Sequence, residues 1–239
     1  MKLLDIPFND RHRRYLIFQA RDLPDRLVLA STSTTAQFES IGSSRFFTSS
    51  DGNLVAKVVP DKYSRWQSPL KWLMRDYLEK RWLGQCDARE EYESLQILKQ
   101  AGLTTPRCHG WGISLNPGNS NASLLLTELI HDARPGGEVF DEIDEADRLA
   151  FLERFCTEVA QLAKLGYVHR DLHYNNLLIR HDQTIVWIDA NVRKIRDKRN
   201  DTWSAVRAGL SESKLRGADH LETVKRILQA KLGQSTGNS

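Results

Sequence analysis

One segment holds the residue types of phosphoryl transfer at a telling spacing: His169-Arg170-Asp171-Leu172-His173-Tyr174-Asn175-Asn176. Asn176 follows Asp171 by five positions, and the β-rich run Ile185-Val186-Trp187-Ile188 delivers Asp189 at its end. Moving a phosphoryl group to an alcohol needs a carboxylate that orients the attacking hydroxyl and accepts its proton. It also needs oxygen ligands that hold Mg²⁺ against the phosphates. Asp171 is the candidate base, and Asn176 and Asp189 are the candidate metal ligands. His169 and Arg170 join the catalytic cluster, Arg170 as a brace for the loop rather than a chemical group. The competing account is a polar turn whose Asp and Asn side chains satisfy backbone groups. The following hairpin, the trailing Asp189 and the glycine-capped helix upstream weigh against it.

Lys57 lies inside the apolar run Leu54-Val55-Ala56-Lys57-Val58-Val59. A lysine there must snorkel to water or meet an anion. An isolated strand lysine is usually an exposed one. Beside this catalytic loop the expectation becomes contact with ATP phosphates and an ion pair to the helix that follows. Glu91 is the expected partner because it shares a helix face with Leu95 and Leu98, and Glu90 is the alternative. Gly42 and Ser43, one hairpin before Lys57, are candidates for a loop over the phosphates, with a plain hairpin turn equally open. The strand Leu124-Leu125-Leu126-Thr127-Glu128-Leu129-Ile130 ends where Glu128 and Ile130 would offer main-chain groups to adenine.

These side chains need elements to hold them. Strands are expected near 15–19, on either side of the turn Ser49-Ser50-Asp51-Gly52, and at 107–115 and 123–129. Helices are expected at 68–84, opened by Ser68 and Pro69, and at 88–100. Residues 131–137 read as a turn-rich linker. A long helix at 145–165 carries the apolar stripe Leu152, Phe155, Val159 and Leu162, and Gly166 caps it. A hairpin over 176–188 and helices near 202–210 and 220–232 complete the chain, with a disordered tail at 234–239. This pattern predicts an α+β, two-lobed protein-kinase-like fold, with an antiparallel-sheet N-terminal lobe (1–130) and a mainly helical C-terminal lobe (131–239).

Composition narrows the class. Charged residues are 27% and hydrophobic residues 40% of the 239, as in ordinary soluble domains. The net charge of +3 suits anionic ligands without implying nucleic acid. Cys86, Cys108 and Cys156 form no CxxC pair and read as reduced thiols. No signal peptide and no run of about 20 apolar residues is visible. The expected location is the cytoplasm, free or attached to a membrane surface, and the oligomeric state is left open.

The residues quoted resemble the lipopolysaccharide core sugar kinases, the bacterial Kdo and heptose kinase family related to protein kinases. The resemblance runs over roughly 41–193. Ala88-Arg89-Glu90-Glu91-Tyr92, Leu98 and Ala101-Gly102-Leu103-Thr104-Thr105-Pro106 resemble its second helix and the exit from it. His169 to Asn176 and Ile188-Asp189 resemble its catalytic loop and metal site. The resemblance implies ATP and Mg²⁺ as cofactors and a lipopolysaccharide core sugar as acceptor, at the inner face of the inner membrane. Two departures stand out: Ala190-Asn191 follows Asp189 where protein kinases have Phe-Gly, and His173 stands where Ser/Thr kinases usually have lysine. Only a small-molecule phosphotransferase, for an antibiotic or amino-sugar, and a non-catalytic stress or regulatory protein with this fold compete with the sugar kinase.

Residues 62–82 interleave Lys62, Arg65, Lys71, Arg75, Lys80 and Arg81 with Tyr63, Trp66, Trp72, Tyr77 and Trp82. Two accounts are open. The stretch docks on an anionic membrane interface or phosphorylated glycolipid. Alternatively, it is a helix with Leu70, Leu73, Met74 and Tyr77 packed on the core and a solvated basic face.

Overall fold

The structure is a computed structural model that describes residues 1–8, 11–24, 27–31, 44–195 and 202–233. The chain divides into two compact units, Met1–Glu93 with Pro106–Ile130, and Ser94–Thr105 with His131–Ser239. The sequence suggested one cut at residue 130, and the segment Ser94–Thr105 groups instead with the second unit. Its hydrogen bonds explain this: Trp187 N–H donates to Thr104 O (2.9 Å), and Val192 N–H donates to Ser94 Oγ (3.1 Å).

The first unit is a curled sheet of β1 (Lys2–Phe8), β2 (Arg11–Phe18), β3 (Leu29–Ala30), β4 (Arg45–Ser49), β5 (Leu54–Pro60), β6 (Cys108–Ile113) and β7 (Asn121–Glu128). The strand order is β1-β2-β6-β7-β5-β4-β3. All neighbours are antiparallel except β1 and β3, whose single parallel pairing, Phe8 with Leu29, closes the ring. Alternate residues fill the interior: Leu4 and Ile6, Tyr15 and Ile17, Leu54, Ala56 and Val58, Leu124 and Leu126. This is the period-two signature of strands. It puts Lys57 on the opposite face of β5, paired in register with Leu125 of β7 and Phe46 of β4. Strand β1 was not anticipated, because Arg11, Arg13 and Arg14 in its partner hide the alternation.

The helices and strands of the second unit run in this order. The C-terminal half of α2 (Asp87–Gln100) belongs to it, followed by β8 (Ala133–Pro135), α3 (Gly136–Glu142), α4 (Glu145–Lys164) and β9 (Tyr167–His169). Then come β10 (Leu177–Arg180), β11 (Ile185–Trp187), β12 (Val192–Lys194), α5 (Thr202–Arg207) and α6 (Ala218–Gly233). Asp144 caps α4 by accepting from Asp147 N–H (2.9 Å). The predicted stripe Leu152, Phe155, Val159 and Leu162 is buried. It faces the same core as Leu221, Val224 and Leu228 of α6, where Cys156 Sγ donates to Val224 O (3.8 Å). All three cysteines are free and buried. The expected linker at 131–137 is instead a short strand running into α3.

Between β5 and α2, the short helix α1 (Pro69–Lys71) continues into a wide π-type helix, Trp72–Trp82, which ends with Leu83 N–H donating to Leu78 O (3.0 Å). Its buried positions are Trp72, Asp76 and Arg81. Their spacings of four and five track a turn wider than the 3.6 residues of an α-helix. Leu70, Leu73 and Met74, which one of the two accounts packed on the core, are exposed. The interior place is taken by Arg81, whose guanidinium pairs with Asp61 through both ends (2.9 and 3.0 Å). It also donates to the carbonyls of Ser114 (2.9 Å), Asp76 (2.7 Å) and Asn119 (2.7 Å). Asp76 accepts from Lys62 N–H (3.1 Å), Tyr63 N–H (2.7 Å) and Lys80 Nζ (3.0 Å). Two of the six cations in the stretch are therefore structural.

Removing one partner of a buried ion pair strands the other charge, at a cost of about 3–5 kcal/mol, whereas replacing both is often close to neutral. Arg81→Met is expected to lower unfolding free energy by about that much, and Asp61→Asn in the same chain to restore part of it. Urea denaturation of the single and double variants checks this. Equal stability of wild type and Arg81→Met would contradict it.

Candidate active site

Strand β9 ends at His169, and the loop that follows is pinned from within. Leu172 and Tyr174 are fully buried on either side of His173. The Tyr174 ring lies 4.5 Å from Phe140, 5.2 Å from Phe151 and 5.5 Å from Phe155, centroid to centroid. Two glycines outside the loop leave room for it. A Cβ on Gly136 would fall 2.7 Å from Tyr174 O, and one on Gly137 would press on the movable end of the Asn175 side chain. With its neighbours anchored, Asp171 presents a half-exposed carboxylate. Asn176 Nδ2 donates to Asp171 O (3.0 Å) and Oδ2 (3.3 Å), and Lys214 Nζ lies 2.9 Å from Oδ1. Burial raises the Asp171 pKa, but the hydrogen bonds from Lys214 and Asn176 outweigh it and hold the carboxyl below its ordinary value. Asp171 is therefore ionised at neutral pH.

His169 is 2% exposed and meets only backbone on its polar edges: Asp171 N–H points at Nδ1 (3.2 Å) and Asn191 N–H at Nε2 (3.3 Å). A neutral imidazole accepts at one of these nitrogens. Burial pushes its pKa down to about 4, so the ring is uncharged at neutral pH. Its geometry is that of a post joining the loop to the Asp189–Asn191 turn. Arg170 is exposed, and its N–H donates to Asn191 O (2.8 Å), which ties the same two segments.

Asp189 follows β11. Ile188 N–H donates to Asn176 O (2.9 Å), which sets the Asp189 turn beside the Asn176 backbone. Asp189 is exposed, with φ of +50°, the left-handed region that costs a non-glycine residue roughly 1 kcal/mol or more. Buried Ala190 and the bonds to Asn191 hold it there. With both Asn176 amide hydrogens on the Asp171 side, its Oδ1 is turned to other use, and Asp189 brings a hard carboxylate. These are donors of the kind Mg²⁺ takes, with phosphate and water filling the remaining positions. Among the described residues no three His, Cys, Asp or Glu side chains cluster.

In the first unit, Lys57 Nζ lies 2.8 Å from Glu91 Oε2, both side chains little exposed, while Glu90 is exposed. Strand parity turns Lys57 away from the sheet's core, and the first turns of α2 bring Glu91 to it. Glu128 N–H donates to Arg107 O (2.9 Å), and Ile130 has no hydrogen-bond partner among the described residues. Gly42 and Ser43 lie outside the described residues. Sequence reasoning missed Lys214 and Arg216. Arg216 pairs with Asp141 (3.1 Å) and reaches Asn175 Oδ1 (3.4 Å). Both stand in a polar connector 40 residues from the loop, with no periodicity to mark them.

A closed antiparallel sheet with a lysine–glutamate pair, joined in the chain to a helical unit with the Asp171–Asn176–Asp189 set, defines a protein-kinase-like fold. The structure of WaaP in complex with acyl carrier protein shares it: TM-score 0.51 and 17% identity, covering 82% of this chain and 83% of that one. The chain belongs to the Lipopolysaccharide kinase (Kdo/WaaP) family, whose model matches residues 39–207, and that family's members are ATP-dependent kinases. The bifunctional kinase-methyltransferase WbdD is a more distant structural match, with TM-score 0.48 and 16% identity over 82% of this chain and 45% of that one. The maternal embryonic leucine zipper kinases of Xenopus laevis and Danio rerio are 44% and 41% identical over 61 residues, which is 23% of this chain and 9% of theirs.

Asp189→Gly removes the left-handed strain and the carboxylate together. The variant is expected to be as stable as wild type or more so, while losing metal-dependent nucleotide binding. Thermal melts and Mg²⁺-ATP titration read the two effects separately. Unchanged Mg²⁺-ATP affinity would place the metal elsewhere.

Proposed function

We propose that this chain transfers the γ-phosphoryl group of ATP to a sugar hydroxyl of lipopolysaccharide core. The observation that carries the reading is the ionised, half-exposed Asp171 carboxylate, fixed by Asn176 within a buried loop, in a member of a lipopolysaccharide kinase family. Asp171 orients the acceptor hydroxyl and takes its proton. Lys57, steadied by Glu91, binds phosphate oxygens. Backbone groups at Glu128 and Ile130 meet the adenine edge. Asn176 Oδ1 and Asp189 are the residues that would hold Mg²⁺, which would supply positive charge against the phosphates. His169 and Arg170 position the loop and do not touch the reacting atoms.

The acceptor is presented at an anionic membrane surface from the cytoplasmic side. Support comes from the face of the 62–83 stretch. Trp66 is 88% exposed, Leu70 77%, Met74 58% and Trp82 71%, with Lys62, Arg65, Lys71 and Arg75 exposed among them. Large apolar side chains with cations between them suit the boundary of an anionic bilayer. No helix among the described residues is long and apolar enough to cross a membrane, so contact through this face would be peripheral.

Two experiments test the reading. Mass spectrometry of core oligosaccharide from cells lacking this protein is expected to show loss of one phosphate, restored by wild type and not by Asp171→Asn. Restoration by Asp171→Asn would remove the carboxylate from the chemistry. For docking, each engaged cation is worth about 1 kcal/mol near an anionic surface, and the attraction is screened by salt. Co-sedimentation with anionic vesicles is expected at low salt for wild type. It should fall about tenfold or more for Lys71→Gln/Arg75→Gln with Trp66→Ser and Trp82→Ser. Wild type that ignores anionic vesicles would favour a soluble small-molecule acceptor.

A further inference from the structure

The transferring phosphoryl group spreads negative charge over three equatorial oxygens, and catalysis consists largely of meeting that charge. The catalytic loop's own basic side chain cannot supply it. His173 sits two residues after Asp171, but its Nδ1 accepts from Asn175 N–H (3.0 Å). A ring nitrogen that accepts a hydrogen bond carries no proton, so this imidazole is uncharged. Arg216 is taken up by Asp141 (3.1 Å) and Asn175.

We propose that Lys214 is a catalytic residue that carries the positive charge opposite the phosphoryl group in flight. Its Nζ lies 2.9 Å from Asp171 Oδ1 with about a third of the side chain open to solvent. An ammonium has three donors. One is spent on the base, and the rest are available within a few ångströms of where a hydroxyl held by Asp171 would be attacking. The backbone that bears it is fixed. Leu215 is fully buried, Gly217 N–H donates to Glu212 O (3.0 Å), and a Cβ on Gly209 would fall 3.0 Å from His169 O, so this segment lies against the catalytic loop.

The inference rests on the phosphotransferase reading. In the step, the acceptor oxygen forms a bond to the γ-phosphorus, and the bond from that phosphorus to the β–γ bridging oxygen breaks. The electron pair leaves on ADP, and the hydroxyl proton passes to Asp171. Lys214 remains protonated throughout.

The test compares Lys214→Met and Lys214→Arg with wild type and Asp171→Asn. Lys214→Met is expected to lower kcat about 10²-fold with the KM for ATP little changed, and Lys214→Arg to recover part of the loss. Inhibition by ADP with aluminium fluoride, which mimics the planar phosphoryl group, is expected to weaken in Lys214→Met while ADP alone binds as before. If Lys214→Met turns over as fast as wild type or faster while Asp171→Asn is inactive, the lysine only blocks the resting base and the proposal is overturned. Full activity in Asp171→Asn would overturn the phosphotransferase reading, and the role of Lys214 with it.

Discussion

The structure depends on a carboxylate that must stay charged and open while the backbone around it is locked. Asp171 meets both demands because the residues about it do opposite jobs. His169, Leu172 and Tyr174 point into the core, and the Phe140, Phe151 and Phe155 rings close around Tyr174. The side chain that points out finds only hydrogen bonds that favour its ionised form. The glycines at 136 and 137 let α3 approach the loop, and His169 ties the loop to the Asp189 turn. Each of these buried contacts fixes a position that the reacting groups alone could not hold.

The wide helix shows the same logic in the first unit. Arg81 satisfies its donors on Asp61 and three carbonyls. The helix must then turn its apolar residues outward. An interior ion pair thus produces an exposed apolar and basic face, and structural and surface cations alternate along one short stretch.

The conformation of the Asp171–Asn176 loop, the Asp189 turn and the long helix α4 were legible because each depends on local spacing: Asp171 to Asn176, a β-run ending in an acid, and a 3.6-residue apolar stripe. Strand β1 was illegible because Arg13 and Arg14 in its partner, one on the face of Tyr15 and Ile17 and one on the opposite face, mask the alternation. The 69–82 stretch misled because an α-helical period was applied to a π-type helix, which moved Leu70 and Met74 to the surface and Arg81 inside. Lys214 lies in no pattern at all. Only the chain's return past its own catalytic loop brings it to Asp171.

The central claim is that Asp171 directs the γ-phosphoryl group of ATP to a sugar hydroxyl. The most direct measurement is label transfer from γ-³²P-ATP to purified, dephosphorylated core oligosaccharide, with α-³²P-ATP as control, by wild type and by Asp171→Asn. Label is expected on the oligosaccharide only from the γ position and only with wild type. Label transferred equally by Asp171→Asn, or none transferred by well-folded wild type that binds ATP, would contradict it.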